Sequence, residues 1–128
     1  GDSPYEINLW LPLVNCHKTK SMYIIEQKDY NKFKLFLKKK KYSDSSKIYS
    51  LLKKNLKWLK VNYGEMLIFN QTLPHGNITN KEKETRISFN CRFKSIFSPY
   101  KDKKIGEFFT PITTRAMTEI GINYEDPF

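Results

Sequence analysis

The stretch 64–93, GEMLIFNQTLPHGNITNKEKETRISFNCRF, constrains the fold most. Over 85–93 polar and apolar side chains alternate. Successive residues of a strand point to opposite faces. Arg86, Ser88, Asn90 and Arg92 therefore share one face, and Ile87, Phe89, Cys91 and Phe93 the other. This pattern predicts a strand that lines a pocket and rests its back on a core. Residues 65–70 read as a second strand, followed by a turn that holds His75 between Pro74 and Gly76. A histidine with an arginine on a neighbouring strand suits a metal ion beside an anion-gripping fork. The plainer readings are a turn histidine that holds its loop by a hydrogen bond, and an Arg86 salt bridge to Glu65, Glu82 or Glu84. Arg92 lies about 20 Å along the strand from Arg86, which places it outside the pocket.

The rest of the chain supplies further strands and few helices. In 7–13, Ile7, Leu9 and Leu11 alternate with Asn8, Trp10 and Pro12, the signature of a strand. A second strand is expected over 21–26. Residues 29–41 fit both periods. Ser43 or Asp44 caps a main helix over 43–60, with its stripe at Ile48, Leu51, Leu52, Leu56 and Leu59. Thr110-Pro111 opens a short C-terminal helix that Gly121 stops. No repeat or linker divides residues 1–128, so the expectation is one mainly β domain.

Charge and cysteines narrow the function classes. The net charge of +10 invites nucleic acid as a partner. Much of the lysine lies in 32–60, however, and only Arg86, Arg92 and Arg115 are arginines. Readers of phosphates and bases favour arginine, so this argues against nucleic acid. No run approaches the roughly 20 apolar residues of a membrane span. Cys16 and Cys91 have no metal-binding spacing and are expected to be reduced, as in a cytoplasmic protein. His17 sits in a polar connection and is left outside the site.

Four pieces in order carry a family resemblance: Glu6-Ile7-Asn8-Leu9-Trp10-Leu11-Pro12-Leu13, Tyr63-Gly64-Glu65, Pro74-His75-Gly76-Asn77, and Thr85-Arg86-Ile87-Ser88-Phe89 through Arg92-Phe93. The chain resembles the C-terminal half of an iron(II)/2-oxoglutarate-dependent oxygenase of the phytanoyl-CoA dioxygenase superfamily. The nearer similarity is to its carbohydrate- and streptomycin-biosynthesis branch. The resemblance implies an incomplete double-stranded β-helix (a cupin-like jelly roll) with one main helix and a short C-terminal one. It implies that His75 ligates iron, that Arg86, helped by Ser88, grips 2-oxoglutarate, and that Asn8, Trp10 and Asn77 face the substrate pocket. The implied reaction is hydroxylation of a small molecule, sugar-linked in the nearer branch.

One departure qualifies this. The family's His-X-Asp or His-X-Glu ligands precede the strand that matches 7–13, and no such motif exists here. The chain is therefore expected to be the C-terminal part of a longer oxygenase. Alone it is expected to offer no catalytic residues, to bind iron(II) poorly and not to turn over 2-oxoglutarate, although Arg86 could still attract a dicarboxylate. Its unpaired sheet edges are expected to recruit a second copy into a homodimer. A non-enzymatic jelly-roll binding module and a basic interaction protein are the alternatives.

Overall fold

The computed structural model describes residues 2–38, 44–125 and 127. Its strands are β1 (Ile7–Pro12), β2 (Tyr23–Ile25), β3 (Leu56–Trp58), β4 (Leu67–Asn70), β5 (His75–Gly76) and β6 (Ser88–Phe93). They form two antiparallel sheets of three strands, ordered β4-β1-β6 and β3-β2-β5. The helices are α1 (Gln27–Lys38), α2 (Ser45–Leu52) and α3 (Ala116–Ile122). The chain is thus β-rich, with two small sheets and few helices. Among the described residues no helix is long and apolar enough to cross a membrane.

Register decides which face of β1 is buried. Trp10 pairs with Leu67 and Asn90, and Asn8 with Phe69 and Arg92. Partners across antiparallel strands share a face, so these side chains look inward. Trp10 is only 3% exposed and packs with Cys16, Met22 and Val61, with Leu59, Leu67 and Phe69 around them. Truncating a tryptophan in such a core costs about 3–5 kcal/mol. Paired backbone hydrogen bonds between Cys16 and Val61, at 2.8 and 3.0 Å, tie the core's edge.

The outward row of the same sheet is Ile7, Leu9 and Leu11 of β1, Ile68 and Asn70 of β4, and Phe89, Cys91 and Phe93 of β6. Here the expectation fails. The apolar back of β6 does not rest on a core: Ile7, Ile68, Phe89 and Phe93 are all exposed. The core forms on the Trp10 side, where Cys16, Met22, Leu59 and Val61 pack against it.

The main helix is shorter than its stripe suggested. Asp44 caps α2, its Oδ1 accepting from Ser46 N at 2.9 Å. Such a cap contributes about 1 kcal/mol. The helix ends at Leu52, and a 3-10 turn over Lys53–Asn55 leads into β3. Leu56, Lys57 and Trp58 pair with Ile25, Ile24 and Tyr23, so cross-strand pairing overrides the helical period. Residues 29–41 resolve as α1 up to Lys38, and Ser43 and 39–41 lie outside the described residues. The C-terminal helix starts after Arg115 rather than at Pro111, and Gly121 falls inside its last turn.

Candidate functional site

Both sheets contribute walls to one cavity of about 540 Å³, lined by Asn8, Phe69, His75, Asn90, Arg92 and Phe108 among others. His75 reaches it from β5, where it pairs with Ile24 of β2. The next residue must be glycine: a Cβ at Gly76 would lie 2.6 Å from the Tyr23 hydroxyl. Tyr23 cannot easily yield, because Trp58 and Tyr49 pack on its ring at centroid distances of 5.4 and 5.6 Å. Burial there pushes the Tyr23 phenol above its ordinary range.

The His75 ring meets Phe69 edge-on at 4.6 Å, and its Nδ1 lies 2.7 Å from the Leu73 carbonyl oxygen. A carbonyl only accepts, so Nδ1 carries the proton and donates. In the neutral ring Nε2 then keeps its lone pair for a ligand. A fixed ring with one nitrogen anchored to a backbone carbonyl is how metal-binding histidines are oriented. It is also what a histidine that merely holds its turn would do.

The opposite wall is charged and internally neutralised. Arg92 Nη1 donates to Asp2 Oδ1 at 3.0 Å and to Glu6 Oε2 at 3.3 Å. Lys103 also donates to Asp2, and both cations lie over the Phe108 ring, at 5.8 and 4.5 Å. Glu6, 1% exposed, takes a further bond from Ser3 N at 2.7 Å. Asp2 accepts from Gln71, which in turn accepts from Asn8. The Lys103 hydrogen bond holds the Asp2 carboxyl below its ordinary value, with Arg92 assisting against partial burial.

Arg86 stands apart from this cavity. It borders a separate recess of about 510 Å³ with Ile78, Asn80, Glu82 and Glu84. Its Nη1 reaches the Ser21 carbonyl at 3.4 Å. With the Asn77 amide turned to accept, Asn77 Oδ1 takes bonds from Nη2 at 2.7 Å and Nη1 at 3.1 Å. The carboxylates proposed as its partners are engaged elsewhere: Glu84 by Lys20, Glu82 by Thr19 at 2.8 Å and Glu65 by Asn62 N at 2.7 Å. Among the described residues Arg86 meets no carboxylate.

The cavity thus brings Asn8 and His75 together. Trp10 lies in the core, Ser88 pairs with Pro12, and Asn77 links Arg86 to the strand end beside His75. Arg92 was expected outside the pocket and instead forms its wall. Its place on the inward face was readable from alternation, but which end of the strand the cavity would occupy was not. Lys103 and Phe108 come from loop sequence with no periodic signal.

Among the described residues no three His, Cys, Asp or Glu side chains gather as a metal set. No family model, curated protein or solved structure matches the chain. The geometry alone therefore carries the functional reading.

Proposed function

We propose that these 128 residues are the C-terminal part of an iron(II)/2-oxoglutarate-dependent oxygenase acting on a small molecule, and that the two sheets are an incomplete double-stranded β-helix. The carrying observation is His75: it lines the space between the sheets, with Nδ1 anchored on Leu73 and Nε2 left for a ligand. Arg86, expected to share one concavity with His75, borders a separate recess and adds no support to this reading.

An iron ion does not fit this chain alone. A mononuclear site takes two histidines and a carboxylate, and of the two histidines only His75 lines the cavity. On this proposal the other two donors are supplied by sequence outside these residues. No chemical step is assigned to the chain by itself.

The test compares the 128-residue chain with one extended at its N-terminus, by calorimetric titration with iron(II) and by succinate release from 2-oxoglutarate. The extended protein is expected to bind one iron and release succinate, and His75→Ala to lose both. The short chain is expected to do neither. Tight iron binding by the short chain would mean the ligands are misassigned. The alternative reading is a binding module without metal. An extended chain that binds no iron would decide for that module.

A further inference from the structure

We infer that the outer face of the β4-β1-β6 sheet is a docking surface for a second copy of this chain, giving a face-to-face dimer. Eight residues of the three-stranded ladder look outward, and seven of them are apolar and none is charged. Met66 and Ile87, two residues ahead of Ile68 and Phe89, continue the same alternation and are also exposed. Ile68 is 60% exposed and Phe89 55%.

The size of the face fits this occupant. Taking about 200 Å² for a fully exposed large side chain, Ile7, Met66, Ile68, Ile87, Phe89 and Phe93 present roughly 600 Å² at their observed exposures. The half-buried Leu9, Leu11 and Cys91 bring this toward the ~800 Å² per partner of a standard interface. A monomer seldom leaves a contiguous apolar patch larger than a few hundred Å² in water.

Self-pairing also answers the charge problem. The chain carries +10, but the face carries none of it. A two-fold axis lays one patch on its own copy, and an uncharged patch does so without opposing like charges. Sheets packed face to face lie about 10 Å apart with interdigitating side chains. The two copies then shield each other's apolar row, while the lysines stay at the periphery, screened beyond about 8 Å at physiological salt. This surface differs from the unpaired sheet edges expected of a truncated barrel.

The experiment is sedimentation equilibrium of the 128-residue chain at about 100 μM, a concentration at which a micromolar dimer is nearly saturated. Maleimide labelling of Cys91 runs beside it; Cys91 is in the outward row by register, half-buried and also bordering the cavity, and the other thiol, Cys16, is buried. The expected mass is twice the 15.3 kDa of one chain, with Cys91 labelling slowed relative to dilute protein. Ile68→Lys and Phe89→Lys, each of which places a charge on the face, are expected to weaken dimerisation by roughly 100-fold and to restore labelling. If either variant misfolds by circular dichroism, the concentration dependence of Cys91 labelling in the unmodified chain still decides. A monomer with freely labelled Cys91 at 100 μM overturns the inference. So do larger assemblies unaffected by both variants. Protection of Cys91 in a monomeric, N-terminally extended chain would overturn it in favour of a cover from the same polypeptide.

Discussion

Arg86, two residues ahead of β6, and Arg92, within it, belong to the same polar row yet live in opposite surroundings. Arg92 lies between Asp2 and the buried Glu6, so its charge is spent inside the protein. Arg86 leans on a backbone carbonyl and an amide, while the nearby carboxylates answer to Lys20 and Thr19. Removing the first cation strands a buried anion. Removing the second strands two neutral oxygens. The first arginine is paired with anions inside the protein, and the second is bonded only to neutral oxygens.

Arg92→Met therefore carries the largest expected cost. Deleting one member of a buried pair leaves the other charge uncompensated, worth about 3–5 kcal/mol when both are fully buried. Arg92 is 30% exposed at its side chain, so the expected loss is about 2–3 kcal/mol, read as a lower urea midpoint. Arg92→Met with Glu6→Gln together should recover much of it. A single variant as stable as the parent would erase the contrast between the two arginines.

Gly76→Ala probes the strand that joins the two regions, since His75 precedes it and Asn77 follows. The new methyl would push on Tyr23, which Trp58 and Tyr49 hold in place. Overpacking of this kind costs about 1–3 kcal/mol. Tyr23→Phe in the same background removes the nearest atom and should restore part of the loss. No rescue would mean that Tyr23 is not what confines the position.

Arg86→Met should cost less than Arg92→Met, about 1–2 kcal/mol, because its charge-assisted bonds end on neutral oxygens and no buried counter-charge is stranded. In the N-terminally extended protein it should still raise the half-saturating 2-oxoglutarate concentration by about 10-fold or more. A large stability loss would make Arg86 a structural residue like Arg92 and dissolve the comparison.

What the sequence disclosed follows from how local each signal is. Alternation correctly grouped Asn8 with Trp10 in β1 and Asn90 with Arg92 in β6, because parity within a strand needs no knowledge of the partner; that the two rows share a face came from the register. Which face would be buried depended on where the second sheet lies, and there the polar-lined row won over the apolar one. The stripe through Leu56 looked helical because Leu52, Leu56 and Leu59 are spaced as a helix would space them. Only pairing with β2, more than thirty residues away in sequence, turns Leu56–Trp58 into a strand. Asp2 and Lys103 meet across the whole chain, and no window of sequence foreshadows that contact.

The smallest expected effect concerns pH, and it separates the two regions by their anions. At the Arg92 end, the Lys103 hydrogen bond, aided by Arg92, lowers the Asp2 carboxyl below its ordinary 3.8. A group lowered on folding stabilises the folded state above its unfolded value and ceases to do so as pH falls through its folded one. Stability should therefore hold steady above about pH 5 and decline on acidification through 3.8 and below. At the other end Glu84 is lowered by Lys20 and Glu82 by Thr19. Both carboxylates are solvent-facing, where screening leaves little stabilisation. Asp2→Asn should flatten the acid limb of the thermal midpoint measured between pH 3 and 6, and Glu84→Gln should leave it nearly unchanged. A larger change from Glu84→Gln than from Asp2→Asn would place the stabilising ion pairs at the Arg86 end and reverse the assignment of the two arginines.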